Sequence, residues 1–211
     1  MGRLRTKRIG VMGGTFDPIH LGHLAAAQEA FEQFAMDEVV FVPAASSPFK
    51  QEEESQYAEK RYLMTVIATA SHPRFQVSRL ELERPGPSYT IETMRELRRA
   101  YGPRSEFFFI GGTDTIMELG AWKEPEALLE LCTFIAVERP GYEADKIKKS
   151  LSASERKRFT ANPRIVSMKM PGMDLSSTDI RQRVREGRSI RYMVPWEVIG
   201  FIEKNGLYRN R

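Results

Sequence analysis

Two of the chain's three histidines, His20 and His23, stand three positions apart in G-V-M-G-G-T-F-D-P-I-H-L-G-H-L, residues 10–24. With the turn Phe16-Asp17-Pro18 ahead of them and a helix beginning around Ile19 to Leu21, both imidazoles sit one turn apart on one face of a helix start. Free backbone N–H groups and the helix dipole favour an anion there, and two imidazole donors extend such a site. Three other readings compete. Half of a zinc site needs one or two further ligands, and only His72 and the lone Cys132 remain, both far off in sequence. A nucleophile–base pair needs a Ser or Cys held by a local motif, and no G-x-S-x-G elbow is present. A capping or packing pair is the plain alternative, and residues 20 and 23 alone do not decide.

The far end of the chain adds a second feature. In Leu175-Ser176-Ser177-Thr178-Asp179-Ile180-Arg181 the hydroxyl residues suit a helix N-cap and Asp179 suits the dipole of the first turn. Arg181 does not suit it. A cation so close to a helix N-terminus forgoes ~0.3–1 kcal/mol, and Arg185 one turn on adds like-charge repulsion of ~0.2–0.5 kcal/mol. An anion at the helix start removes the conflict, with Ser177, Thr178, free N–H groups and Arg181 directed at it. Two helix N-termini of this kind can grip one polyphosphate from two sides. The chemistry that fits is nucleotidyl transfer, in which a phosphate attacks the α-phosphorus of a nucleoside triphosphate and pyrophosphate departs. The attacking group is already an anion, so positioning and charge stabilisation suffice without a protein nucleophile. Magnesium accompanies the triphosphate in such chemistry.

The elements that must position these residues alternate. Strands are expected at Arg8–Met12, Glu38–Val42, Phe75–Leu82, Phe107–Ile110, Thr133–Val137 and Arg164–Met168. Helices are expected at Leu21–Ala35, Ala58–Ser71, Ile91–Tyr101 and Pro125–Leu131, as a broken pair over Glu143–Arg158, and at Thr178–Glu186 and Pro195–Lys204. A polar loop lies at Gln51–Gln56. Alternation of this kind predicts an α/β fold, a doubly wound, mostly parallel sheet with helices on both faces and a small C-terminal helical part. The apolar runs Val39–Val42 and Phe107–Ile110 suit strands buried on both sides. Two strands run into glycine pairs, Gly13-Gly14 and Gly111-Gly112, at the carboxyl ends where ligands bind in such sheets. Neither G-x-x-x-x-G-K-[ST] nor G-x-G-x-x-G is present.

At 211 residues the expectation is a single domain, with about 174–211 as the C-terminal helical part. No apolar stretch approaches the ~18–20 residues of a membrane span. One cysteine allows no internal disulfide, and Met1–Arg5 lacks an apolar leader segment, so a cytoplasmic setting is expected. Thirty-two basic against 28 acidic residues, a formal charge of +4, favour an anionic ligand without requiring one. The arginines at 181, 183, 185, 188 and 191 read on composition as a solvated helix face, a phosphate site or a nucleic-acid patch.

Gly13-Gly14-Thr15-Phe16-Asp17-Pro18-Ile19-His20-Leu21-Gly22-His23 resembles the H-x-G-H signature region of the adenylyl- and cytidylyltransferase superfamily, and Ser176–Arg181 resembles its partner motif S-S-T-x-I-R. With Pro87-Ser88-Tyr89-Thr90, the stretch Gly111–Asp114 followed by Trp122, and the closing segment Tyr192–Tyr208, the pattern is similar to the bacterial nicotinate-nucleotide adenylyltransferase family over nearly the whole chain. That resemblance implies a Rossmann-like nucleotidyltransferase fold and adenylyl transfer from ATP to nicotinate mononucleotide, giving deamido-NAD and pyrophosphate in NAD biosynthesis. It implies His20, His23 and Arg181 as the catalytic residues. Gly13, Gly14, Thr15, Phe16, Gly111, Asp114, Ser177 and Thr178 join them in binding ATP. Lys50, Tyr89, Thr90 and Trp122 are implied for nicotinate mononucleotide. Mg²⁺ comes with ATP, with no metal ligand from the protein, no tightly bound cofactor, no nucleic-acid or membrane partner, and a homo-oligomer left open. Where the family often has P-x-H-K, this chain has Ser47-Pro48-Phe49-Lys50. The rival readings are a relative acting on nicotinamide mononucleotide or phosphopantetheine, a fragment of a class I aminoacyl-tRNA synthetase and, from another class, a basic RNA-binding module.

Overall fold

The computed structural model describes residues 5–45, 58–138, 162–170 and 173–209. The chain runs β1 (Arg8–Gly14), α1 (Leu21–Gln33), β2 (Glu38–Pro43), α2 (Ala58–Thr69), β3 (Phe75–Val77), α3 (Leu80–Glu83), α4 (Thr90–Tyr101), β4 (Glu106–Gly112), α5 (Thr113–Glu118), a single 3₁₀ turn (Leu119–Ala121), α6 (Pro125–Leu131), β5 (Thr133–Glu138), β6 (Ile165–Lys169), α7 (Ser177–Arg185) and α8 (Trp196–Lys204). Six strands form one sheet in the order β3-β2-β1-β4-β5-β6. The pairs β1–β4, β4–β5 and β5–β6 are parallel, with Ile9 opposite Phe107, Phe109 opposite Phe134 and Val137 opposite Met168. The chain winds outward from β1 to β3 and then returns to lay β4 on the other side of β1. Strand order therefore reverses between β1 and β4, the place where a doubly wound sheet leaves room for a ligand at its carboxyl edge. Both of those strands end in the glycine pairs, Gly13-Gly14 and Gly111-Gly112.

The chain divides into two compact units. The first comprises Met1–Gly13, Ala26–Val40 and Tyr89–Gly172. Its core is the apolar run of β4, Phe107 to Ile110, against Phe134 to Val137 of β5, with Ile91, Met94 and Leu97 of α4 and Leu128 and Leu129 of α6 also buried. Each fully buried side chain of this size contributes about 1.5–3 kcal/mol, so the two central strands dominate the unit. Gly10 in β1 leaves no space for a side chain: a Cβ there would meet Met36 Sδ at 2.6 Å and Val39 Cγ2 at 3.0 Å. The second unit comprises Gly14–Ala25, Phe41–Ser88 and Met173–Arg211. Its core joins Phe16, Phe41 and Met64 to Ile180 of α7 and Val198, Ile199 and Ile202 of α8.

The strand expected over Phe75–Leu82 is only three residues long and gives way to α3. Leu80-Glu81-Leu82-Glu83 alternates like a strand but is made of strong helix formers. Ser78 decides the outcome, its backbone N–H donating to the Phe41 carbonyl at 2.9 Å and its hydroxyl accepting the Leu80 N–H at 3.2 Å. Arg79 then pairs with Glu83 one turn on, at 3.3 Å. The short helix α5 directly after β4 was not expected either. The Thr113 hydroxyl anchors its start by donating to the Val137 carbonyl of β5 at 2.9 Å. The helices read at Glu143–Arg158 and the loop at Gln51–Gln56 lie outside the described residues.

Candidate active site

The loop from Gly14 to His20 is built so that its side chains fold back on its own backbone. Phe16 takes a left-handed backbone, φ 50°, and is buried. Its ring lies against Gly14, where a Cβ would come within 3.2 Å of the ring edge. The same ring meets Phe41 at 5.9 Å and the imidazole of His23 edge-on at 5.1 Å. The Asp17–Pro18 peptide is cis. The Gly14 carbonyl accepts the Ala44 N–H at 2.9 Å, tying the end of β1 to the residue after β2.

His20 stands just ahead of α1, and its carbonyl accepts the N–H groups of His23 at 3.0 Å and Leu24 at 3.3 Å, which closes the first turn of the helix. The two imidazoles stack with centroids 3.7 Å apart. The His20 backbone N–H donates to His23 Nδ1 at 3.2 Å, so a neutral His23 carries its proton on Nε2 and presents that nitrogen as a donor. Gly22 is explained by the same stack. A Cβ on it would lie 3.0 Å from His20 Nδ1 and 3.1 Å from Cε1, so the glycine between the histidines leaves room for the first ring.

The start of α7 is bonded to this loop. Ser176 is the N-cap, its hydroxyl accepting the Asp179 N–H at 3.1 Å. The Ser177 hydroxyl donates to the Pro18 carbonyl at 2.9 Å. Arg181 Nη1 donates to the Asp17 carbonyl at 2.7 Å, while Nη2 donates to Thr178 Oγ1 at 3.3 Å. The cation that looked misplaced at a helix start is thus held back along its own helix against the carbonyl of residue 17, three positions before His20. The structure docks the start of α7, through Ser177 and Arg181, on the loop that carries Gly14, Thr15 and Phe16 and leads into His20 and His23. The carboxyl end of β1 places Gly13 just before it, exposed beside the Phe109 ring at 3.4 Å.

Three further residues complete the docking, and sequence reading had given none of them a role. Arg61 of α2 is buried, and its guanidinium donates to the carbonyls of both Thr15 and Ala45. Two carbonyls offset the desolvation of the charge and fix the loop after β1 to the loop after β2. Tyr208, near the chain's end, donates its hydroxyl to Asp17 Oδ1 at 2.6 Å. Burial, then the charge of Asp17, raises the Tyr208 hydroxyl well above its ordinary pKa, so it stays a donor at neutral pH. Asp17 Oδ2 in turn lies 3.7 Å from Arg181 Nη1. In the sequence Arg61 reads as one more charge in Glu59-Lys60-Arg61, and Tyr208 is 191 positions from its partner.

The residues read as the acceptor's belong to the other unit, apart from Lys50, which lies outside the described residues along with Phe49. Tyr89 is the N-cap of α4, with an extended backbone and no side-chain cap bond, and Thr90 is the first helical residue. The ammonium of Lys123 lies 4.5 Å over the Tyr89 ring and 2.6 Å from Glu92 Oε1. Trp122 is half-buried and packs edge-on against Phe109 at 5.7 Å and Phe134 at 6.1 Å, so at least one edge of its indole serves the core. Gly111 is the last residue but one of β4 and has Thr115 close above it, a Cβ reaching Thr115 Cγ2 at 3.0 Å. Asp114 is the second residue of α5.

Comparison with known proteins shows the family. The family model described as cytidylyltransferase-like matches residues 11–183, and the chain belongs to that family of nucleotidyltransferases. Within it the chain belongs with the nicotinate-nucleotide adenylyltransferases. It is 50% identical over 202 residues to a protein of Thermus thermophilus named probable nicotinate-nucleotide adenylyltransferase, covering 96% of this chain and all of that one. A protein of the same name from Moorella thermoacetica is 44% identical over 98% of this chain and 94% of its own. Among solved structures, the nicotinic acid mononucleotide adenylyltransferase of Plasmodium falciparum complexed with APC shares the fold, with a TM-score of 0.73 at 21% identity over 97% of this chain and 98% of that one.

Proposed function

We propose that the chain transfers the adenylyl group of ATP to nicotinate mononucleotide, releasing pyrophosphate and forming deamido-NAD. The 5′-phosphate of the mononucleotide attacks the α-phosphorus of ATP, a new P–O–P bond forms, and the bond to the β-phosphate breaks. The observation that supports this reading is the docking of Ser177 and Arg181 on the carbonyls of Pro18 and Asp17, which holds the start of α7 against the loop leading into H-x-G-H. His23 Nε2, the guanidinium of Arg181 and the positive dipole ends of α1 and α7 then meet the phosphates as negative charge moves toward the leaving pyrophosphate. His20 orients His23 through its backbone bond and ring stack. Gly13, Gly14, Thr15 and Phe16, with Gly111 and Asp114, are assigned to the nucleotide. ATP is taken to enter as its magnesium complex, the metal offsetting charge on the phosphate oxygens.

For the acceptor, Tyr89, Thr90, Trp122 and Lys50 are assigned to nicotinate mononucleotide. The start of α4 offers unpaired N–H groups to a carboxylate, and an indole offers a face to a pyridinium ring. These assignments rest on the family pattern and on the chemistry of the residues. Purified protein mixed with MgATP and either nicotinate or nicotinamide mononucleotide, with pyrophosphate followed, tests the reading. Release with the acid form and little with the amide is the expected result. Release with the amide alone reassigns the acceptor, and release with neither overturns the proposal.

A further inference from the structure

Asp17 sits between a donor it must keep and a cation it must not neutralise. Its carboxylate accepts the Tyr208 hydroxyl through Oδ1 at 2.6 Å, and its Oδ2 stops 3.7 Å short of the Arg181 guanidinium. The hydrogen bonds of Arg181 go to neutral groups, the Asp17 carbonyl at 2.7 Å and Thr178 Oγ1 at 3.3 Å, the Asp17 carboxylate reaches it only as the longer ion pair at 3.7 Å, and its side chain is 27% exposed. A carboxylate free to turn would close on that guanidinium as a direct pair, because charged hydrogen bonds are the stronger ones in a half-buried setting. The positive charge would then be spent inside the protein instead of being presented to an anion. The Tyr208 hydroxyl is what opposes this turn. It comes from a buried ring that follows α8, with a left-handed backbone, φ 68°, that turns the residue back into the unit.

We propose that Tyr208 is a positioning residue for the adenylyl-transfer site, its hydroxyl holding the Asp17 carboxylate off Arg181 so that the guanidinium stays available to the ATP phosphates. The inference rests on the function proposed above for Arg181. Its consequence is specific to one substrate: losing the hydroxyl weakens the hold on ATP and leaves the acceptor's site in the other unit unchanged. A packing role for Tyr208 predicts something else, a general loss of stability indifferent to the charge at residue 17.

The test compares wild type, Tyr208→Phe, Asp17→Asn and the double variant. MgATP binding is measured by calorimetry without acceptor, and KM is measured for each substrate. Tyr208→Phe is expected to weaken MgATP binding and raise KM for ATP roughly three- to tenfold, with KM for nicotinate mononucleotide unchanged. In the Asp17→Asn background, where no carboxylate can turn onto Arg181, the second substitution is expected to change neither quantity. The same loss of ATP affinity in both backgrounds, or an equal rise in both KM values, overturns the proposal. Should Tyr208→Phe not fold, Asp17→Asn and the double variant carry the decision, since neither leaves a buried carboxylate without its donor; any difference in MgATP affinity between them counts against it. Because calorimetry needs no turnover, a wild type that binds MgATP but makes no deamido-NAD defeats the proposed acceptor and leaves this inference standing on its own measurement.

Discussion

At the scale of residues, the loop is arranged around His23. Its Nδ1 is occupied by the His20 backbone N–H, its ring is stacked on His20 and edged by Phe16, and the proton of the neutral ring sits on Nε2. His23→Ala is therefore expected to lower turnover by orders of magnitude while shifting the urea midpoint little; equal losses in both would make it a packing residue. Arg61 is the opposite case. Replacing it with Met strands the Thr15 and Ala45 carbonyls that its guanidinium satisfies, at a cost of about 2–4 kcal/mol, read from urea unfolding. The histidines were legible in the sequence because they are rare, closely spaced and separated by a glycine. Arg61, Asp17 and Tyr208 were not, since nothing local distinguishes a buried arginine on a helix or a tyrosine near a chain's end from exposed ones.

At the scale of elements, the long strands and helices were legible because each buries an apolar run or stripe with a clear period. Helix α6 was expected at Pro125–Leu131 and is found there, started by its proline. The short elements α3 and α5 were missed because four to six residues carry too little periodicity, and because hydrogen bonds to distant strands, from Ser78 to Phe41 and from Thr113 to Val137, decide them. Helix α7 begins one residue earlier than expected, capped by Ser176. Ser176→Ala is expected to remove about 0.5–2 kcal/mol of stability, read from chemical denaturation. The anomaly that first marked this helix, a cation in its opening turns, is resolved by the bond from Arg181 to the Asp17 carbonyl.

At the scale of the whole molecule, the doubly wound sheet sets the carboxyl ends of β1 and β4 at its switch point, and both glycine pairs fall there, as expected for a nucleotide-binding fold. Among the described residues no helix is long and apolar enough to cross a membrane. The same burial that builds the sheet keeps acidic protons in the core. Burial raises the Cys132 thiol from 9.0 to about 12 and, together with Glu38, the Tyr101 hydroxyl from 10.0 to about 12. Groups raised in the folded state bind protons that the unfolded chain releases, so their stabilisation is whole below about pH 9 and is lost as pH climbs towards 12. Urea unfolding between pH 7 and 11 should show stability falling above pH 9, less steeply in Cys132→Ala. An unchanged slope in that variant would show that the thiol does not contribute.

The central claim is that the histidine loop and the start of α7 serve one triphosphate. A crystal structure of the protein with a non-hydrolysable ATP analogue tests it most directly. The imidazole of His23 and the guanidinium of Arg181 should both lie within hydrogen-bonding distance of the same analogue's phosphates; phosphates bound elsewhere, or touched by only one of the two, would contradict the account.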